Sequence, residues 1–419
     1  MNIEENLKKV KDAARVVANL STEAKNNALS KIAYVLKENM DEILEANQKD
    51  MIRGEEKGLG SKLDRLKLTP ERIQGIIDDL NNVVSLEDHV GQIIDEKTRP
   101  NKLQIQRVRV PLGVIGIIYE ARPNVTVDAA SLCLKSGNAV VLKGGSDALN
   151  SNRVLVKLIK EALKESEVPE DAVTLIDTED REAVGELLKM RDYIDVIIPR
   201  GGKGLINFVI ENSEIPVIET GASVVHMYID KEADLKKAVD CAVNAKTRRV
   251  SICNALDVAV VHKDIAEEFI PLLAENLLTL EKSVEVRADS RSFELLKDKY
   301  ENLTEAEAQD FDTEFLDYIL SIRVVDSYEE ALDHIYRHSL KHSESIITEN
   351  VETADKFLKE VDAACCFVNA STQFSDGAQF GLGAEIGIST QKLHVRGPFA
   401  LEGLTTFKWV IRGDGQTRP

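Results

Sequence analysis

Apolar residues recur at helical spacing early in the chain, at Leu29, Ile32, Leu36, Met40 and Ile43, and Thr69-Pro70-Glu71 supplies a capping hydroxyl followed by proline at a first helical position. The spacing predicts helices over residues 1–86, with no chemistry visible in them. From Gly91 to Arg109 the period changes to that of strands. Gly91-Gln92-Ile93-Ile94 and Leu103-Gln104-Ile105-Gln106-Arg107-Val108-Arg109 flank a turn at Arg99-Pro100-Asn101, a polar hairpin of the kind that projects to pair with another subunit. Next come the apolar runs Val114-Ile115-Gly116-Ile117-Ile118, Ala139-Val140-Val141-Leu142, Val173-Thr174-Leu175-Ile176 and Asp195-Val196-Ile197-Ile198, separated by helical stretches such as 152–164. Strands apolar on both faces and joined by helices predict a parallel sheet covered on both sides.

A second α/β series is expected from about Ala233. It takes in the loop around Cys253, the run Asp257-Val258-Ala259-Val260-Val261-His262, Ile322-Arg323-Val324-Val325 and Cys366-Phe367-Val368-Asn369. The tail, Thr405-Thr406-Phe407-Lys408-Trp409-Val410-Ile411, alternates as a strand suited to the hairpin of a neighbour. No internal repeat or low-complexity linker interrupts the chain.

At 419 residues and 43% hydrophobic, the chain exceeds one compact core and should divide into two or three packed units. Its net charge of −19, from 72 acidic against 53 basic residues, argues against nucleic acid or an anionic membrane as partner. A small anionic substrate stays open, because it needs only a local cluster of cations. Five cysteines without regular spacing, no signal peptide and no long apolar segment point to a reduced, cytoplasmic protein.

The candidate chemistry gathers in four loops. Cys253 follows Lys246, Arg248 and Arg249 in Ala245-Lys246-Thr247-Arg248-Arg249-Val250-Ser251-Ile252-Cys253-Asn254, so its thiol sits in a cationic loop that favours the thiolate, the nucleophilic form. A cysteine taken at random is a small buried hydrophobe, and only the company Cys253 keeps overturns that reading. Pro199-Arg200-Gly201-Gly202-Lys203-Gly204 follows a strand and opens a helix, where free amides and the helix dipole receive a phosphate, although glycine-rich turns are common. Lys143-Gly144-Gly145-Ser146 offers a cation and a hydroxyl to a nucleotide, or is an ordinary turn. Tyr119-Glu120-Ala121-Arg122-Pro123-Asn124 places an amide side chain beyond a buried strand, a donor for a developing oxyanion. The last three loops follow strands of the first series, where an open parallel sheet places its ligands beyond the carboxyl ends, and should converge on one crevice.

Three stretches together resemble the aldehyde dehydrogenase superfamily, and within it the branch acting on γ-glutamyl phosphate: Val110-Pro111-Leu112-Gly113 through Asn124-Val125-Thr126, then Ile198 through Ile206, and, most specifically, Phe380-Gly381-Leu382-Gly383-Ala384-Glu385-Ile386-Gly387-Ile388-Ser389-Thr390-Gln391-Lys392-Leu393-His394. The resemblance covers essentially the whole chain. It implies an α/β, aldehyde dehydrogenase-like fold of two doubly wound parallel-sheet domains plus a small β oligomerisation hairpin and tail. It divides the chain into a cofactor-binding domain over 1–90 and 110–230, a catalytic domain over 231–395, and hairpin and tail over 91–109 and 396–419. The implied activity is NADPH-dependent reduction of L-glutamyl 5-phosphate to glutamate 5-semialdehyde through a Cys253 thioester, a step of proline biosynthesis.

The resemblance makes Cys253 the nucleophile, Asn124 with the Cys253 amide the oxyanion hole, and Glu219 the counterpart of the glutamate that activates water in hydrolytic relatives. It assigns Lys143, Ser146, Gly201, Gly202, Gly204 and Glu314 to the cofactor, with Ser146 standing where NAD-preferring relatives carry a carboxylate, which favours NADP(H). Arg248 and Arg249 would neutralise the leaving phosphate, Arg122 or Lys392 would hold the substrate's α-carboxylate, and Glu385, His394 and Arg396 would shape the pocket. No metal is implied. A homo-oligomer is implied, and glutamate 5-kinase is admitted as a partner. Four places depart from the family pattern: Ala222-Ser223-Val224-Val225-His226, Arg248-Arg249-Val250, Asp257-Val258 and Gln373. A hydrolytic or coenzyme-A-acylating aldehyde dehydrogenase, and a catalytically silent structural member of the superfamily, are the rival readings.

Overall fold

The computed structural model describes residues 3–60, 63–120, 122–180 and 182–418; Ala121, in the loop expected to carry the oxyanion donor, lies outside them. The chain forms two compact units, one of 1–220, 381–387 and 399–419, the other of 221–380 and 388–398.

The first unit opens with the expected helices, α1 (Ile3–Val17), α2 (Thr22–Glu38), α3 (Met40–Glu56), α4 (Leu63–Leu66) and α5 (Pro70–Ser85). Each of the long ones buries one apolar stripe, in α2 Leu29, Ile32 and Leu36. Thr69 caps α5 by accepting from the Arg72 amide, with Pro70 in the first turn. The hairpin β1 (Ile93–Thr98) and β2 (Gln104–Pro111) is antiparallel. The α/β core follows: β3 (Val114–Tyr119), α6 (Asn124–Lys135), β4 (Ala139–Gly144), α7 (Leu149–Lys164), β5 (Val173–Leu175), α8 (Glu182–Leu187), β6 (Val196–Arg200) and α9 (Lys203–Asn212). Its four strands are parallel in the order β5-β4-β3-β6. The order reverses between β3 and β6, which is where an open sheet of this kind receives ligands.

The second unit runs β7 (His226–Ile229), α10 (Leu235–Thr247), β8 (Val258–His262), α11 (Lys263–Leu278), β9 (Glu285–Ala288), α12 (Ser290–Leu296), β10 (Leu303–Glu305), β11 (Ile319–Val325), α13 (Tyr328–His338), β12 (Ser343–Ile347), α14 (Val351–Glu360) and β13 (Cys365–Val368). All seven strands are parallel, in the order β10-β9-β11-β8-β7-β12-β13. The boundary expected at 230 falls at 220, because β7 is a central strand here, paired with β8 and β12.

A two-stranded ribbon, β14 (Gly387–Ser389) and β15 (Gly397–Phe399), precedes the tail strand β16 (Thr405–Arg412). β16 does not wait for a neighbour. It pairs antiparallel with β2 of its own chain from Thr405↔Pro111 to Arg412↔Gln104, and hairpin and tail belong to the first unit rather than standing apart.

Candidate active site

In the first unit the sheet register brings three of the predicted loops to one edge. Tyr119 pairs with Gly144 on one side and with Arg200 on the other, so β3, β4 and β6 end level. The end of β3 is fixed from below: the Tyr119 hydroxyl bonds the Thr126 hydroxyl at 2.7 Å, and Thr126 donates to Asn152 at 3.0 Å, tying strand to α6 and α7. Burial drives the Tyr119 phenol well above its usual pKa, so this network stays protonated.

Lys143 is buried at the end of β4, and its ammonium donates to the carbonyls of Gly144 (3.0 Å) and Thr178 (3.1 Å). Burial lowers its pKa, while Asp177 and Asp180 pull the other way. Half-buried Ser146 begins the short turn Ser146–Ala148, and the next residue, Asp147, is neutralised by Lys57 at 2.7 Å. Gly202 caps α9, and its amide donates to the Glu120 carboxylate at 3.0 Å. A Cβ on Gly201 would come within 2.8 Å of the Glu120 carboxyl carbon and of the Leu205 side chain, so a larger residue there would push both side chains aside, while Gly204 has open space. The sequence reading passed over Glu120, which shows only as an acid following a buried strand.

Asn124 is the first residue of α6, half-buried, and its Nδ2 donates to Asp128 Oδ2 at 2.9 Å. Burial pushes the Asp128 carboxyl up to about 6. Arg122 is exposed; Glu219 and Glu385 are half-buried.

In the second unit the chemistry lies at the amino edge of the sheet. The segments entering β11, β8 and β7, three adjacent strands, are 314–318, 253–257 and 221–225. Cys253 is half-buried in the turn between α10 and β8. Its carbonyl accepts from the Ser223 hydroxyl, which also contacts Glu314 Oε1 at 3.1 Å, so nucleophile and cofactor candidate meet through Ser223. Asn254 is held at both ends: its carbonyl accepts from Thr372 (2.7 Å) and its amide donates to the Ser375 carbonyl (2.9 Å).

Gln373 clasps the loop. Its Nε2 donates to the carbonyls of Ala245 (2.9 Å) and Arg249 (3.3 Å), and its Oε1 accepts from the Arg248 guanidinium (3.1 Å). Asp257 takes the amides of Val225 (3.1 Å) and Phe315 (3.2 Å), binding all three entering segments together. Burial raises its carboxyl to about 6 against the pull of Lys246, itself pushed down to about 8 by burial and donating to the Leu256 carbonyl at 2.8 Å.

Arg248 and Arg249 are exposed on the same loop. Lys392, expected at the substrate's carboxylate, is neutralised by Asp362 at 2.8 Å, which Arg396 also reaches at 2.8 Å; the two cations hold Asp362 down to about 2. His394 is exposed, and its carbonyl accepts from Gln391 at 2.8 Å. Among the described residues no group of histidine, cysteine and acidic side chains could hold a metal.

The sequence pattern of the aldehyde dehydrogenase family matches residues 1–290, and the chain belongs to that family, whose enzymes use a nicotinamide cofactor. Within it the chain is 53% identical to the gamma-glutamyl phosphate reductase of Clostridium novyi over 100% of both sequences, and 54% identical to that of Moorella thermoacetica over 98% of this chain and 97% of the relative. The crystal structure of gamma-glutamyl phosphate reductase from Thermotoga maritima superposes with a TM-score of 0.97 at 49% identity over 100% of both chains. An acetylating aldehyde dehydrogenase from Geobacillus thermoglucosidasius shares the fold, with a TM-score of 0.68 at 18% identity.

Proposed function

We propose that this enzyme reduces L-glutamyl 5-phosphate to L-glutamate 5-semialdehyde, releasing phosphate, with NADPH as reductant. The observation that carries the reading is identity of about half over the full length with gamma-glutamyl phosphate reductases, and the well-anchored Cys253 loop supports it. Cys253 as thiolate attacks the acyl carbon; the C–O bond to phosphate breaks and a thioester forms. Arg248 and Arg249 receive the departing phosphate. Asn124 and the Cys253 amide donate to the oxygen that gains charge, first in this displacement and again when the thioester is reduced.

Lys143, Ser146 and the start of α9 would hold the cofactor. The fit is supported by a buried ammonium at a strand end, a hydroxyl where an acid would repel a 2′-phosphate, and a helix start already shaped to take a carboxylate. When bound, the cofactor supplies the hydride. Collapse of the resulting tetrahedral centre returns the thiolate and frees the aldehyde. The unit of 1–220 serves the cofactor, that of 221–380 serves covalent catalysis, and β1, β2 and β16 serve assembly. Among the described residues no helix is long and apolar enough to cross a membrane. The proposed reaction places the enzyme in the cytoplasm beside a kinase that makes the labile acyl phosphate.

The deciding experiment runs the reaction in reverse. A site that stabilises departing phosphate stabilises attacking phosphate, so oxidation of glutamate semialdehyde with NADP should require inorganic phosphate. NADPH formed at full rate in phosphate-free buffer, with glutamate as product, would identify a hydrolytic dehydrogenase instead.

A further inference from the structure

A carboxamide has one accepting and one donating end, and rotating it by half a turn about its last bond exchanges them at little steric cost. If Asn124 is to donate to an oxyanion, something must decide which end faces it. Asp128 lies four residues further along α6, on the same helical face, and its Oδ2 accepts from Asn124 Nδ2 at 2.9 Å. An ionised carboxylate can only accept, so it holds the NH2 end of the amide and leaves the second N–H of the same nitrogen for another acceptor.

We propose that Asp128 is a positioning residue that locks the orientation of the Asn124 amide so that its second N–H is presented to the developing oxyanion. This rests on the reading of Asn124 as the oxyanion donor and adds the group that makes it one. The charged side chains facing Asp128 are Asp79 on α5 and Arg200 at the end of β6. Burial and Asp79 raise its pKa, while the Asn124 bond and Arg200 lower it, leaving it at about 6. Once protonated, the carboxyl can donate as well as accept, and the amide is no longer held in one sense.

The test is a cycle of variants assayed for kcat, for KM of the acyl phosphate, and for pH dependence. Asp128→Asn presents both a donor and an acceptor and should lower kcat about tenfold, a fraction of the hundredfold or more that loss of a whole oxyanion donor costs, with KM little changed. It should also lose the fall in kcat on acidification through pH 6. Asp128→Glu, still acceptor-only, should recover most of the rate and guards against a folding defect. In an Asn124→Ala background, Asp128→Asn should cost nothing further. Wild-type kcat in Asp128→Asn, or equal losses with and without Asn124, overturns the positioning role while leaving Asn124's own intact. Near-normal turnover in Asn124→Ala overturns both.

Discussion

Gln373 and Ser223 do structural work at the Cys253 loop. Gln373 spends its whole amide on the Cys253 loop, making three bonds to backbone and guanidinium, and Ser223 sits between the Cys253 carbonyl and Glu314. On the proposed reading Ser146 bears on cofactor choice. The adjacent acid, Asp147, is already paired with Lys57, so no unneutralised carboxylate on that turn opposes a 2′-phosphate. Ser146→Glu should therefore raise KM for NADPH at least tenfold and leave KM for NADH within about twofold, since a like charge desolvated at close range costs more than about 1 kcal/mol. Equal changes for the two cofactors, read from initial rates, would refute the NADP assignment.

At the scale of elements, α13 and β12 make the second unit acid-sensitive. His334 on α13 is buried against His226 and Phe311, neither ring nitrogen has a protein hydrogen-bond partner, and burial with neighbouring His226, His338, Arg323 and Arg337 drives its pKa down to about 2. His342, fully buried before β12, is pushed down to about 4 by burial. Both imidazoles take up a proton near pH 6.5 when unfolded and refuse it when folded. Stability is therefore unaffected above that pH and lost as pH falls below it, by about 1.4 kcal/mol per pH unit for each imidazole. From pH 6.5 to 5 the two should together remove about 3 kcal/mol. Urea midpoints should show His334→Leu less acid-sensitive by about half and more stable at pH 7, because it deletes two unsatisfied polar atoms. An unchanged dependence on pH would show that the cluster is hydrated in solution.

At the scale of the whole molecule, the sheet β1-β2-β16 has an exposed edge of unusual character. On β16, Phe407, Trp409 and Ile411 are 44%, 55% and 60% exposed and alternate onto one face, where Arg107 lies over both aromatic rings at 5.1 and 5.7 Å. An exposed, apolar edge strand invites pairing with another chain. Replacing both Trp409 and Ile411 with aspartate should shift the mass measured by light scattering to that of a single chain while the far-ultraviolet circular dichroism stays unchanged. An unchanged mass would remove the assembly role from this strand.

The apolar runs determined the two parallel sheets, because strands buried on both faces need continuous hydrophobic residues and helices between them to cover them. The spacing of loops after those runs likewise placed Asn124, Lys143 and Gly202 at one sheet edge, since parallel strands in register end together. Sequence order could not say that β7 belongs to the second unit, or that β16 turns back onto its own hairpin. Both depend on pairing between segments far apart in the chain. Nor could it reveal Asp257, Ser223 and Gln373 as the groups that gather the Cys253 loop, or Asp362 as the partner that takes Lys392. A polar side chain acquires its role from the backbone group or charge it meets when buried, and that meeting is decided only when the sheet brings together strands that the sequence separates.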